Sequence, residues 1–475
     1  MEKKLIQPVA INWMIGVSAL ILFLCSSLKH ILFHSTALDL GMFDQGAYLI
    51  SQGQPPISSF TNYHILADHA AWIWYPLALL YKIYPSIYWL FAVQAIALAL
   101  GALPTWYLAC QAGLKESQAI AMAFVYLLYP LVFNVNLFDF HPEVIALPTL
   151  LAAVLVARGG HIWWFCLSIF LILGCKALLS LTVVAMGVWL LLFEKRRLYG
   201  AIAIISGISW YIIANKWIIP VIGGEAATVE RYVGRYSYLG NSIPEIAKNL
   251  FLNPEILLKN LFSLDNLGYL LLLLAPVIWG ISLQSITPLV AAIPCLALNL
   301  IAEYQGQKDL IHQYSLPILP FLILSVISNL AAGKGWLQNK RAIILWSLVA
   351  FLSLAKFTHF GGKYLNSLDT WQATREAIAL VKTEGNVYTT DEIAPHLSQR
   401  KFIKHINPHL RISNLQSINQ SINQSINQSY ILLNIRHPGL SSNQKFDISL
   451  LNQLKNMPDF KLKYQRDDVY LFIKQ

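Results

Sequence analysis

The chain has 475 residues, of which 56% are hydrophobic and only 12% are charged. An ordinary soluble domain carries about 25% charged residues, so the composition excludes one and indicates an integral membrane protein. The net charge of +10 does not indicate a nucleic-acid partner, because many of the 34 Lys and Arg residues stand at the ends of apolar runs, where topology signals belong.

Eleven membrane spans are predicted, at about 11–31, 88–109, 118–134, 143–157, 161–175, 177–193, 199–219, 266–284, 286–302, 314–331 and 341–358. The first, "INWMIGVSALILFLCSSL", is too long for a signal-peptide core and lacks a small-residue cleavage pattern. The stretch "AAWIWYPLALLYKIY" (71–85) is interrupted by Pro76 and Lys82 and suits an interfacial or re-entrant helix better than a crossing. Cys25, Cys110, Cys166, Cys175 and Cys295 lie in or beside apolar runs without metal or disulfide spacing, and read as packing residues.

With the N-terminus inside, the inner segments hold Lys3, Lys4, Lys115, Arg158, Lys195, Arg196, Arg197, Lys334, Lys340 and Arg341. The outer segments 32–87, 135–142 and 303–313 hold only Lys82 and Lys308. The long outer loop 220–265 adds Arg231, Arg235, Lys248 and Lys259, partly offset by four glutamates. The positive-inside rule therefore predicts a multi-pass plasma-membrane protein with a cytoplasmic N-terminus.

Residues 1–360 thus read as an all-α polytopic membrane bundle, and 361–475 as a small α/β domain on the outer face. In that domain "TWQATREAIALVKTEG" and "DEIAPHLSQ" are expected as helices, and "NVYTT", "YILLNI" and "DDVYLFIK" as strands. The four-residue repeat "SINQSINQSINQS" (417–429) is polar and low in complexity, and reads as a loop expansion.

Four polar groups are expected at the outer surface. The first is Asp39 and Asp44 in "LDLGMFDQ", followed by His64, Asp68 and His69 in "NYHILADHAAW". The second is Asp139, His141 and Glu143 in "NLFDFHPE"; the third is Lys176, at the turn of the hairpin 161–193. The fourth is "EYQGQKDLIHQY", with Glu303, Lys308, Asp309, His312, Gln313 and Tyr314. Each has a plain structural alternative: a helix cap for Asp39, solvation for Asp44, a capped turn for "DFHPE", and a snorkelling side chain for Lys176. Acids at the rim of an apolar bundle, in a segment without Lys or Arg from His30 to Tyr81, nonetheless mark a candidate site. His64, Asp68 and His69 have donor types and spacing that suit a divalent metal, or equally an ordinary polar loop.

The ordered stretches "LDLGMFDQGAYLISQGQPP", "YLLYPLVFNVNLFDFHPEVIALPTLLAA", "YSYLGNSIPEIAKNLFLNPEILLKNL", "LLLLAPVIWGISLQSITPLVAAIPCLALNLIA" and "HQYSLPILP" resemble the membrane-protein family catalogued as domain of unknown function 2079. The resemblance runs from about residue 36 to 330, and "VYTTDEIAPHLSQRKFI" resembles the family's outer domain. The family is similar to the C-type glycosyltransferases (GT-C), multi-span enzymes with an acidic first outer loop that transfer sugar from a polyprenyl-phosphate carrier.

The resemblance implies a sugar transferase that meets its lipid-linked donor at the outer face. Asp44, with Asp39 as second candidate, would be the base, while Lys176 and His141 would bind the donor phosphate and Asp139 would orient His141. Transfer needs a base for the acceptor hydroxyl and a cation or metal for the leaving phosphate. The partners implied are the polyprenyl-linked sugar and membrane lipid, with no nucleic acid. The family's hairpin lysine is commonly followed by Glu-Asp, whereas Lys176 is followed by Ala177 and Leu178. That difference keeps open a non-catalytic subunit of an envelope-glycan assembly; a lipid or solute transporter is the other alternative.

Overall fold

A run of about 20 apolar residues lowers its free energy in hydrocarbon by closing every main-chain hydrogen bond within one helix. The computed structural model describes residues 8–223, 229–382, 384–408 and 429–474, and most of the apolar stretches are helical. Three helices are long and apolar enough to cross a membrane: Val9–Ile31, Tyr88–Gln111 and Arg197–Gly223. Two bent pairs raise the number to five, and the other apolar helices are shorter. Eleven complete crossings are therefore not established by helix length. The helix inside the ambiguous 71–85 stretch, Trp74–Ile83, has 10 residues, about 15 Å at the helical rise, which is half a hydrocarbon thickness.

Contacts divide the chain into two compact units, one of residues 1–24, 66–73 and 91–356, the other of 25–65, 74–90 and 357–475. The segments 25–65 and 74–90, part of the membrane portion in the sequence reading, group with the C-terminal residues.

The first unit is helical. Proline accounts for one of its breaks: Glu116–Leu127 is followed by Pro130–Asn136 at a bend of 40°, and Pro130, which has no N–H, stands at the start of the second piece. A second break follows helix Lys340–Leu354. There the Asn134 amide donates to the Leu354 carbonyl at 3.1 Å, and its oxygen accepts from the Lys356 N–H at 2.8 Å. One side chain so replaces main-chain bonds that the broken helix has lost.

Helices Leu179–Leu192 and Arg197–Ile213 form a hairpin. They approach closely because two glycines face one another: a Cβ at Gly187 would lie 2.8 Å from the Gly200 carbonyl oxygen, and one at Gly200 2.7 Å from that of Gly187. Small residues at such crossings let main chains touch where no hydrophobic effect drives helices together.

The second unit contains a short antiparallel hairpin, β1 (Ile57–Ser58) and β2 (Tyr63–His64), and a five-stranded mixed sheet. Its strands are β3 (Asn386–Thr389), β4 (Ile403–His405), β5 (Ser429–Asn434), β6 (Phe460–Arg466) and β7 (Val469–Lys474), in spatial order β4-β3-β5-β7-β6. β4 and β5 run parallel to β3, and β7 runs antiparallel to β5 and β6. Tyr388, Ile431, Leu433 and Phe472 pack with Leu450, Leu451 and Leu454 of helix Gln444–Lys455 in one core. Asn434 donates from the end of β5 to Thr370 of helix Leu368–Ala379.

The three expected strands and the helix over 368–379 are present, while "DEIAPHLSQ" forms only a short 3-10 turn at Ala394–Leu397. β4, β6 and helix Gln444–Lys455 were not anticipated; "FKLKYQR" of β6 is exposed after its first residue except at the half-buried Tyr464, and so lacks a strong apolar pattern. The repeat 417–429 lies outside the described residues except for Ser429, which opens β5.

Replacing Gly187 by Val is expected to drive the 179–213 hairpin apart. The cost should be about 1–3 kcal/mol, the range for forcing volume into a packed contact, read as a lowered melting temperature in detergent. Gly16→Val, at a glycine with open space around it, should leave the melting temperature unchanged.

Candidate functional site: an ion pair, an aromatic-held arginine and an acidic loop

In the first unit the turn before helix Glu143–Gly159 carries three of the expected residues. Asp139 adopts φ 95°, a left-handed conformation that Asp tolerates better than most residues. His141 Nδ1 lies 3.4 Å from the Asp139 main-chain oxygen. Glu143 opens the helix, where a carboxylate is favoured by the unpaired N–H groups of the first turn.

Lys176 stands between helices Ile162–Cys175 and Leu179–Leu192 with extended backbone, φ −166° and ψ 137°. The next residue, Ala177, donates its N–H to the His69 carbonyl at 2.8 Å, which anchors the hairpin turn. Lys176 Nζ meets Glu143 Oε1 at 2.5 Å, and both residues are buried. The cation named as a phosphate ligand therefore already holds a carboxylate. The sequence reading singled out the lysine but gave Glu143 no role, because an acid in a helix's first turn is ordinary.

Around Lys176 stands a second cation. Its Nζ is 5.9 Å from the centre of the Tyr314 ring, and the Arg235 guanidinium carbon is 5.2 Å from the same centre and 5.0 Å from that of Tyr304. Arg235 donates to Tyr314 Oη at 3.1 Å and to Gln307 Oε1 at 3.0 Å. The reading from sequence counted Arg235 only as a loop charge; its neighbours Tyr232 and Tyr236 were the one available hint. His312 Nδ1 pairs with Asp309 Oδ2 at 2.7 Å, while Asp309 Oδ1 accepts the N–H groups of Ile311 and His312. Phe138 links this loop to the turn, stacking on His141 at 5.1 Å and meeting His312 edge-on at 4.3 Å. Lys176, Glu143, His141, Arg235, Tyr314 and His312 are thus brought together from four separate stretches. Cations held over aromatic faces are attracted by the ring and can still donate to an anionic oxygen.

The acidic loop belongs to the second unit. Asp44, in helix Met42–Ser51, is fully buried. Tyr81 Oη donates to its Oδ1 at 2.7 Å, Gln399 Nε2 to the same oxygen at 3.2 Å, and Ser398 Oγ to Oδ2 at 2.5 Å. Burial pushes its carboxyl up to about 6 against the pull of these donors. Asp39 is half-buried and accepts from Thr36 Oγ1 at 2.9 Å. Asp391, two residues after β3, accepts the Ala37 N–H at 3.1 Å and so holds the turn that bears Asp39. Gln45 ties the same helix to Ser58, Ser59 and the Arg400 carbonyl.

His64 lies in the second unit, whereas Asp68 and His69, which pair at 3.2 Å, lie in the first. Among the described residues no group of three or more His, Cys, Asp or Glu side chains is arranged to hold a metal ion. All five cysteines are free thiols.

Apolar helices with polar side chains gathered among them, together with a mixed α/β module, define a polytopic membrane protein. The chain belongs to the family described as predicted membrane protein (DUF2079), whose pattern matches residues 29–471. Its fold is similar to that of ArnT from Cupriavidus metallidurans bound to undecaprenyl phosphate, with 10% identity, a TM-score of 0.55 and 98% of each chain covered. The apo state of the same protein matches with 10% identity, a TM-score of 0.47 and the same coverage. No curated protein matches the sequence.

Glu143→Gln should be costly, because it removes the carboxylate charge that the buried Lys176 ammonium meets at 2.5 Å. Breaking such a pair costs about 3–5 kcal/mol, whereas replacing both partners by apolar residues is close to neutral. Melting of Glu143→Gln should accordingly fall well below that of the double variant Glu143→Leu/Lys176→Met; equal melting would mean that the pair is solvated.

Asp44 makes the second unit pH-sensitive. Its folded value of about 6 lies above the ordinary 3.8, so the folded form binds the proton more tightly than the unfolded chain. Its contribution to stability is full below about pH 4 and is lost as the pH rises through about 6. Asp44→Asn should remove that dependence, giving a flatter melting temperature between pH 4 and 7 than the unmodified protein.

Proposed function

We propose that the protein transfers a sugar from a polyprenyl-phosphate-linked donor at the outer membrane face. The observation that carries this reading is the convergence of Lys176 and Arg235 on one tyrosine ring, beside His141 and His312. A leaving lipid phosphate needs cationic and N–H donors, and an inverting transfer needs in addition a carboxylate for the acceptor hydroxyl. Family membership and the ArnT-like fold support the same class, and ArnT in its complex holds a polyprenyl phosphate.

Within this proposal Asp39 is the better base candidate of the two loop acids. Its carboxyl is half-exposed, while that of Asp44 is enclosed by three side-chain donors and serves to position the loop. Arg235 and Lys176 receive the donor phosphate. Lys176 can do so only by sharing its charge with Glu143, which places the larger share of phosphate binding on Arg235. His141 adds a donor from the preceding turn. The proposal also keeps eleven crossings, an inner N-terminus and an outer C-terminal domain, supported by the basic residues of the inner loops.

The test is donor binding and transfer measured side by side in nanodiscs with a panel of polyprenyl-phosphate sugars. Asp39→Asn should keep donor affinity and lose turnover by a factor on the order of 10² to 10⁴. Arg235→Gln should instead weaken donor binding by roughly tenfold or more, the loss of a charge-assisted hydrogen bond. Binding without transfer for every donor and acceptor, with Asp39→Asn indistinguishable from the unmodified protein, would replace the enzyme by a lipid-binding subunit. For the topology, protease added to sealed right-side-out membranes should release a fragment beginning near residue 360; protection of that fragment would reverse the orientation.

A further inference from the structure

A cavity of 370 Å³ in the first unit is lined by Lys115, Ser117, Gln118, Asn339, Lys340 and Arg341. Three of these six side chains are cationic and none is acidic. The cavity lies at the N-terminal ends of helices Glu116–Leu127 and Lys340–Leu354, which begin side by side. Asn339 caps the second helix by accepting the Arg341 N–H at 2.8 Å, but the first has no side-chain cap. Its opening N–H groups add partial positive charge to that of the lysines. Gln118 donates to the Gln338 carbonyl at 3.4 Å and ties the two walls together.

Both helices open apolar bent pairs that have the composition of membrane spans. Where each bent pair crosses the bilayer as one span, its first residues come at the level at which hydrocarbon gives way to headgroups, and the cavity opens with them. Lys115, Lys340 and Arg341 are exposed, so their charge is available to a ligand. Glu116, in the first turn of the first helix, is exposed but does not line the cavity, so three cations with amide and hydroxyl donors face the ligand and select a phosphate-bearing anion. A site between two spans at headgroup depth meets that anion on a lipid.

We propose that this cavity binds the phosphate headgroup of an anionic membrane lipid and thereby clamps the two helices together. It is separate from the Lys176 and Arg235 cluster: it shares none of the side chains of that cluster, and it does not depend on sugar transfer. The guanidinium of Arg341 grips the phosphate oxygens as a fork, Lys115 and Lys340 supply point charges, and Ser117 and Gln118 donate to the remaining oxygens.

The experiment uses the full chain in detergent, with phosphatidylglycerol, phosphatidylcholine or inorganic phosphate added, read by native mass spectrometry and by thermal melting. Phosphatidylglycerol should be retained and should raise the melting temperature, whereas phosphatidylcholine should do neither. The triple variant Lys115→Ala/Lys340→Ala/Arg341→Ala, made at exposed positions that folding tolerates, should lose phosphatidylglycerol retention by on the order of 100-fold, given about 1 kcal/mol per cation. Removing two exposed charges elsewhere, Lys195→Ala/Arg197→Ala, should change it by less. Equal loss in both variants would reduce the effect to general surface charge and overturn the proposal. A melting shift with inorganic phosphate as large as with the lipid would assign the cavity to a free anion instead, and overturn the lipid.

Discussion

In hydrocarbon a main-chain N–H or C=O without a partner costs several kcal/mol, and that constraint governs how this chain is broken as much as how it is helical. The bends at Pro130 and after Leu354 expose main-chain groups inside an apolar bundle. Asn134 answers the second by bonding to both the Leu354 carbonyl and the Lys356 N–H. Asn136 likewise donates to the Leu22 carbonyl, and Gln94 to the Asn136 carbonyl. Polar side chains buried among apolar helices are here the complement of irregular main chain. They need a stated partner before they can be read as functional.

The Lys176 and Glu143 pair is different in kind, because neither residue repairs a helix break. Two charges have been moved out of water and made to meet, at a desolvation cost that their attraction only roughly offsets. The pair lies beside Arg235, His141 and His312, which come from a loop, a turn and another loop. Under the proposed function this composition balances itself: positive charge to receive a phosphate, and negative charge to keep the cations from repelling one another. The closeness of Arg235 and Lys176 to one aromatic ring serves the same balance, since the ring face attracts both cations without neutralising either.

In the second unit the acidic segment and the α/β module are built together. Asp44 is held by Ser398 and Gln399, Gln45 by Ser59 and the Arg400 carbonyl, and the turn bearing Asp39 by Asp391. A loop that follows the first span is thereby fastened by residues about 350 positions later in sequence. The module is a scaffold for the loop, and the carboxyl of Asp44, raised by burial to about 6, is a consequence of that enclosure.

The sequence by itself determined the solvent of this protein, most of the places where apolar helices form, and the class of side chain in its polar groups. Apolar runs, charged run ends and the acid-bearing "LDLGMFDQ" are local properties, and locality is what a pattern can report. It also marked Lys176, because a lysine inside an apolar hairpin stands out without reference to anything else. What only the tertiary structure decided is partnership. Glu143 is unremarkable as the first residue of a helix until Lys176 arrives from 33 positions away. Arg235 is one loop charge among several until it packs on Tyr304 and Tyr314, and Asp44 looks solvated until Tyr81 and Ser398 close over it. The edge strands β4 and β6 escaped for the same reason: one is three residues long and the other mostly exposed, and both pair because a neighbouring strand is already in place. The energy of a buried charge or an edge strand depends on what lies across from it, and that is set by packing.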